Sequence, residues 1–261
     1  MRPFILLTND DGVDAPGILA LREAAQRLWD TVIVAPDREQ SAQSHALTLN
    51  RPLRVNKVAD GILSVDGTPS DCMMLALRGS PDYALHNPGC PRGILERKPD
   101  LAISGINHGA NLGDDVIYSG TVAGAAEAAI LGLPSIAVSM VEPARTDLAW
   151  AADITVKIAG AVLRNPLPRG VFLNVNVPPD WTGGRFEITC QGTRQYRDVI
   201  TKKIDPRGRP YYWIGGRTEN IPGADSSDVA AIERGNISIT PLHLDMTAMH
   251  VLKDMESWSF E

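Results

Sequence analysis

Along its first two-thirds the chain alternates short apolar runs of strand length with segments of helical spacing. Phe4–Thr8 reads as a buried strand, Gly17–Leu28 sets Ile18, Leu19, Leu21 and Leu28 at helical intervals, and Thr31–Ala35 is a second strand closed by Pro36-Asp37. A strand–helix–strand unit of this kind favours parallel pairing. Leu53–Val58 and Ile62–Val65 suit a short antiparallel pair, and Thr68-Pro69-Ser70-Asp71 opens a helix over Cys72–Leu77. Asp100–Ser104 is another buried strand, Thr121–Leu131 a helix of small residues, Ser135–Ser139 a strand, and Leu148–Leu163 a long apolar helix. Val171–Val177 follows as a strand closed by Pro178-Pro179. The pattern predicts an α/β fold with a mostly parallel sheet flanked by helices.

The pattern then changes. From Phe186 to Gly216 the chain reads as a hairpin around Asp205–Pro210, with Tyr211, Tyr212 and Trp213 in the return strand. Such an aromatic arm either docks on a partner or folds back on its own domain, and the sequence leaves both open. Residues 236–261 suit a strand and a helical tail, in which Met246, Met249, Met255 and Trp258 are expected to pack beneath the terminal helix. No repeat or linker interrupts the chain, so residues 1–261 are expected to form one domain, with 186–216 a protruding hairpin.

Composition removes several classes of function. The 261 residues carry a formal charge of −6, and Lys and Arg are scattered, which gives no footprint for duplex nucleic acid or an anionic membrane. A small anion can still be held by backbone amides and a metal. No stretch is long and apolar enough to span a bilayer, and nothing near the N-terminus resembles an export signal. The three cysteines, Cys72, Cys90 and Cys190, lack the CxxC spacing of a zinc site, and their odd number suggests no disulfide framework. These features point to the cytoplasm. His45, His86, His243 and His250 show no metal-binding spacing, so each is expected at the surface or in a core hydrogen bond.

Candidate chemistry gathers at the strand ends, where open α/β sheets bind ligands. Asn9-Asp10-Asp11-Gly12 follows the first strand, Pro36-Asp37-Arg38-Glu39-Gln40-Ser41 the second, and Gly105–Asp115 the strand that starts near Asp100. Taken alone, the first of these is good turn chemistry. Taken together, adjacent carboxylates with a serine hydroxyl and an amide oxygen make a hard, oxygen-rich site suited to Mg²⁺ or Mn²⁺. Tyr118-Ser119-Gly120-Thr121 precedes a helix, where free N–H groups and hydroxyls can hold a phosphate or merely cap the helix. Asp114 and Asp115 suit loop shaping better than ligation. A phosphatase of the haloacid dehalogenase type would need a second aspartate two positions after its nucleophile, where Gly12 and Val13 stand. A sensor that binds a phosphorylated metabolite without turnover stays open.

The segments LLTNDDGVDAPGI, VAPDREQSA, DGTPSDC, SGINHGANLGDDVIYSGTVAGAAE, NVNVP and SITPLH, in that order, resemble the SurE family of metal-dependent nucleotidases. The resemblance implies a Rossmann-like α/β core with a C-terminal hairpin extension used in oligomerisation, giving a homodimer or homotetramer. It implies one divalent metal ion per subunit, Mg²⁺ or Mn²⁺, and metal-assisted hydrolysis of nucleoside 5′-monophosphates, often of 3′-monophosphates, and in some members of short polyphosphate. Carried onto this chain, the metal ligands are Asp10, Asp11, Ser41 and Asn107. The catalytic set is Asp10, Asp11 and Asn9, and phosphate is held by Asn9, Asn111, Ser119, Gly120 and Thr121. The family's usual Gly-Pro-Asn reads Gly109-Ala110-Asn111 here, and His108 receives no general-acid role.

Overall fold

The centre of the computed structural model is strand β1 (Phe4–Thr8), flanked on both sides by parallel neighbours. The structure describes residues 2–78, 94–95, 97–141, 148–179, 181, 183–197, 200–215, 217–221 and 223–260. On one side of β1 lie β2 (Asp30–Pro36), β4 (Ile62–Val65) and β3 (Val55–Ala59). On the other lie β5 (Leu101–His108), β6 (Ser135–Met140), β7 (Val171–Val177), β13 (Ile237–His243) and β8 (Phe186–Ile188). Within this nine-stranded sheet, among the described residues, only the β3–β4 and β7–β13 ladders are antiparallel. The fold is thus α/β and Rossmann-like, and strand order reverses between β1 and β5, which opens a crevice at their carboxyl ends.

Side-chain alternation on β1 builds both layers. Ile5 and Leu7 face α1 (Pro16–Gln26) and α5 (Ala149–Arg164), packing with Ile18, Leu21 and Ile158. Leu6 faces the opposite layer, where Val34 of β2 and Met73 of α2 (Pro69–Arg78) share a core with Ala128 of α4 (Gly120–Ile130), the helix that follows the short α3 (Asp115–Tyr118). Burial of each large aliphatic chain contributes about 1.5–3 kcal/mol, so β1 is anchored from both faces. Proline in the first turn starts α1 without a side-chain cap, because its missing N–H would have no partner there.

Strand β5 runs beyond the predicted Asp100–Ser104. It carries a bulge against β6 between Ser104 and Asn107, and the Gly105–Ile106 peptide is cis. Gly105 has φ +137° and a Cβ there would lie 2.3 Å from the Val138 carbonyl oxygen, so only glycine fits. The bulge carries Asn107 to the sheet's upper edge still within the strand.

Of the 186–216 stretch, the first residues form β8, which pairs in parallel with β13 in the main sheet. The antiparallel arm is built from two successive ladders. β9 (Arg194–Arg197) pairs with β12 (Arg217–Asn220), and β10 (Ile200–Ile204) with β11 (Pro210–Ile214). Its tip is closed by Asp205, whose carboxylate accepts from the backbone N–H groups of Arg207 (2.8 Å) and Arg209 (2.9 Å). Every residue of β10 and β11 is exposed, so this part of the arm does not fold back on its own domain.

After α6 (Asp228–Glu233) and β13 comes α7 (Met249–Met255), and here one expectation fails. No residue of α7 is buried, and Met246, Met249 and Trp258 are exposed, because no part of the described chain lies beneath them. Among the described residues no helix is long and apolar enough to cross a membrane.

Candidate functional site

The turn at the tip of β1 and the carboxylates it carries turn out to do separate jobs. Asn9 donates its side-chain amide to the Gly12 carbonyl (2.8 Å), Gly12 takes φ +106°, and the Asp10 carbonyl accepts from Gln40 N–H (2.7 Å). Turn chemistry therefore occupies Asn9, Gly12 and the backbone. The Asp10 and Asp11 carboxylates instead line a cavity of about 410 Å³, whose wall also includes Ser41, Asn107, Asn111 and Ser119. The expected site residues Asn9, Gly120 and Thr121 do not reach that wall and stand behind it, all buried.

Those three residues support Asp10. Thr121 donates its hydroxyl to Asp10 Oδ1 from the first turn of α4, where the helix dipole also favours negative charge. Gly120 lets the carboxylate come this close, since a Cβ there would sit 2.9 Å from Asp10 Cβ and 3.0 Å from Oδ2. Asn9 Oδ1 lies buried behind the turn with no hydrogen-bond partner among the described residues.

Burial pushes the Asp10 carboxyl up to about 6, partly offset by the Thr121 hydrogen bond and reinforced by the charge of Asp11. Asp11 is raised as well, first by burial and further by Glu39, while the backbone N–H and charge of His108 act in the opposite direction. Among the described residues neither carboxylate forms an ion pair with Lys or Arg. Two desolvated carboxylates side by side, with no Lys or Arg paired to either among the described residues, form a site that a divalent ion would relieve. No group of three or more His, Cys, Asp or Glu is arranged to hold a metal among the described residues. The remaining donors would have to be the Ser41 hydroxyl and the Asn107 amide oxygen, which is hard-cation chemistry. Ser41 donates to Glu39 Oε1 (2.7 Å), and Asn107 donates its amide N–H to the Gly109 carbonyl (2.9 Å), leaving its Oδ1 as an acceptor.

The loop carrying Asn111 is fixed from below. Asn111 N–H donates to Asn176 Oδ1 (2.8 Å), its carbonyl accepts from Asn174 Nδ2 (2.8 Å) and Asn176 Nδ2 (3.0 Å), and its own amide donates to Ser139 Oγ (2.6 Å). Sequence reasoning gave Asn174 and Asn176 no role. The available signal was two polar residues, two apart and hence on one face, within a strand buried from Phe172 to Val177. Glu39 was also passed over, although it sits two residues from Ser41. Asp115, expected to shape the loop, pairs with Arg194 at the foot of the arm and also lines the cavity. Asp114 accepts from Arg194 N–H (3.1 Å).

Ser119 is the N-cap of α4, accepting from Val122 N–H (3.1 Å), and its hydroxyl hydrogen stays available to a ligand. His45 bonds to the buried Glu127 at 2.8 Å. Cys72 is buried and Cys190 exposed, both as free thiols. His86 and Cys90 lie outside the described residues.

Comparisons with known proteins identify relatives of the chain. The family model described as Survival protein SurE matches residues 5–198. A protein of Geotalea daltonii named 5′-nucleotidase SurE is 50% identical over 258 residues, covering 97% of this chain and 98% of its own. A protein of the same name from Geobacter sulfurreducens is 47% identical over 257 residues, covering 97% of this chain and 93% of its own. The crystal structure of the SurE protein from Aquifex aeolicus superposes with a TM-score of 0.80 at 42% identity, covering 97% of this chain and 98% of that one. With the family model matched from the first strand into the arm, and relatives alike from end to end, this chain belongs to the survival protein SurE family.

Proposed function

We propose that the chain is a metal-dependent 5′-nucleotidase, hydrolysing nucleoside 5′-monophosphates to nucleoside and phosphate, with 3′-monophosphates and short polyphosphate as further substrates. The names of its relatives support the reaction class. The observation that carries the reading is the desolvated Asp10–Asp11 pair, with no Lys or Arg paired to it among the described residues, set against the N-terminus of an eleven-residue helix. One Mg²⁺ or Mn²⁺ on Asp10, Asp11, Ser41 and Asn107 supplies positive charge to the phosphoryl oxygens and acidifies water.

The chain's own residues divide the remaining work. Ser119 donates its hydroxyl to a phosphoryl oxygen, and free N–H groups at the start of α4 add fixed positive potential as charge develops there. Asn111, immobilised by Asn174, Asn176 and Ser139, presents its amide with little reorganisation. Thr121 and Gly120 position Asp10, and Asn9 holds the turn that presents both carboxylates. Asp11 and Glu39 are the carboxylates able to take the proton released by the attacking water, because Asp10 is held by Thr121.

The exposed arm and tail support a homodimer or homotetramer, since large apolar groups gathered at a surface usually meet a partner. The cytoplasm is the proposed compartment. The deciding experiment measures phosphate release from nucleoside 5′- and 3′-monophosphates with and without Mn²⁺ or Mg²⁺, in the native chain and in Asp10→Asn. Metal-dependent release that vanishes in the variant is expected. Absence of release from every nucleotide, or equal release by the variant, overturns the reading.

A further inference from the structure

Asp10 and Ser41 reach the metal cavity from different strand ends, and they are held there in different ways. Asp10 is fixed directly, by Thr121 in the first turn of α4. The Ser41 hydroxyl bonds to Glu39 within its own segment (2.7 Å), and among the described residues it has no hydrogen bond to any other part of the site. Its place is therefore set by the points at which that segment is tied down. Upstream, Gln40 N–H donates to the Asp10 carbonyl (2.7 Å). Downstream, Ser44 donates its hydroxyl to the Ile117 carbonyl (2.7 Å) and its N–H to the Tyr118 carbonyl (3.0 Å), and the Thr68 hydroxyl donates to the Ala46 carbonyl (2.7 Å). Between these ties Ala42 and Ser44 hold left-handed backbone, with φ +56° and +54°, which residues other than glycine keep only where their surroundings impose it.

His45 supplies a further tie, and its partner is a group that the rest of the site leaves unused. The ring Nε2 lies 2.8 Å from Oε2 of Glu127. Glu127 is 3% exposed on the alanine-rich α4, does not line the metal cavity, and pairs with no Lys or Arg among the described residues. A carboxylate buried in this way is costly unless a partner meets it, so the ring and the carboxylate hold each other in place. Glu127 and Thr121 stand on one helix, six residues or about 9 Å apart along its axis. One stiff element thus holds Asp10 at its first turn and the Ser41 segment farther along.

We infer that His45, acting through Glu127, is a positioning residue for Ser41. Helix α4 is the common reference for two donors that come from the ends of β1 and β2, and the His45–Glu127 contact sets the second against the first. Without it the stretch from Ala42 to Ser44 is free to relax its left-handed backbone and to carry the Ser41 hydroxyl away from Asp10. The inference rests on the metal site of the proposed nucleotidase and adds to it the contact that keeps that site assembled.

The test measures the Mn²⁺ Kd by calorimetry without substrate, in the native chain, Ser41→Ala, His45→Ala, His45→Gln and the double variant Ser41→Ala/His45→Ala. His45→Ala is expected to weaken Mn²⁺ binding about tenfold, the scale on which groups that orient a metal ligand act. The double variant is expected to bind within about twofold of Ser41→Ala alone, because His45 then has no hydroxyl left to place. His45→Gln puts an amide N–H near the place of Nε2 and is expected to stay within about threefold of the native chain. His45 lies at the surface, and His45→Asn, too short to reach Glu127, replaces the alanine variant if that one does not fold. Losses that multiply in the double variant mark a merely structural role and overturn the inference, as do an unchanged Kd in His45→Ala and a failure of glutamine to rescue. A raised KM for AMP at an unchanged Mn²⁺ Kd also overturns it and would put the ring on the substrate. The expected Mn²⁺ pattern in a chain that releases phosphate from no nucleotide supports the positioning role while overturning the nucleotidase reading. A native chain without affinity for Mn²⁺ overturns both.

Discussion

The rim above β1 and the arm from β9 to β12 break the same rule in opposite ways. At the rim, polar groups are buried with part of their bonding capacity unused: Asp10 is 4% exposed without a cation, and Asn9 Oδ1 has no partner. On the arm, apolar groups stand in water, with Trp213 63% and Ile214 82% exposed. A buried charge is relieved by something small enough to enter, and an exposed apolar strand by something large enough to cover it. One polypeptide thus buries negative charge at its rim and exposes apolar surface on its arm, and the two can be tested apart.

The largest effect belongs to the rim. Asp10→Asn removes the charge around which Thr121, Gly120 and the start of α4 are arranged, while keeping the shape and a group able to accept from Thr121. Turnover is expected to fall by at least about a hundredfold, the scale on which single electrostatic contacts act. The far-ultraviolet circular dichroism stays native. Near-normal turnover at saturating Mn²⁺ would remove Asp10 from the metal site.

Gly120→Ala probes the same carboxylate from behind. The added Cβ would meet Asp10 at 2.9–3.0 Å, so the side chain or the first turn of α4 must shift by a fraction of an ångström. Misplacement on this scale is expected to cost about tenfold or more in turnover, with roughly 1–3 kcal/mol of stability. Native turnover together with native Mn²⁺ affinity would show that the tight contact has no part in the chemistry.

What could be read in the sequence follows the same division. Ile62–Val65 and Val171–Val177 match their predicted limits because each is a mostly apolar run of strand length, the second closed by Pro178-Pro179. Strand β5 was read short because Gly105 breaks the run, and a bulge at glycine continues the strand where periodicity stops. β8 was assigned to the hairpin because three residues carry no period, and its pairing depends on β13, about fifty positions later. At the rim, Asp10, Asp11, Ser41 and Asn107, singled out by the family resemblance, come to one cavity wall because they sit where strands end. Asn174 and Asn176 fall in the quoted segment NVNVP but received no role, because they act through the backbone of Asn111, a long-range contact that the segment itself does not reveal. The tail was expected to be packed because apolar spacing is the same whether the other face comes from this chain or from another.

A smaller effect separates charge from shape at the rim. With Asp10 at about 6 in the fold against 3.8 ordinarily, the neutral form is favoured by folding, so its contribution to stability is complete below about pH 4 and is lost as pH rises through about 6. Asp11 acts in the same direction. A bound cation favours the charged carboxylate instead. The Tm gained on adding Mn²⁺ should therefore grow from pH 4 to about pH 6 and level off above it, by several degrees in all, as followed by calorimetry. A gain independent of pH across this window would place the ion away from Asp10.

The smallest effect on chemistry is expected from the arm. Replacing Tyr212 and Trp213 by serine removes exposed apolar surface, 57% and 63% accessible, that makes no core contact with this chain. Substitutions at such positions usually change a chain's own stability by about 0.5 kcal/mol or less, so turnover per chain should stay within about twofold. Sedimentation should nevertheless move toward a smaller species, because the removed groups are those a second copy would cover. Two results would break the contrast with the rim. Unchanged sedimentation would mean that the arm's apolar face contributes nothing to assembly. A large fall in turnover alongside dissociation would mean that the rim depends on the arm, and Arg194, paired with the cavity-lining Asp115 at the arm's foot, is the contact through which it would do so.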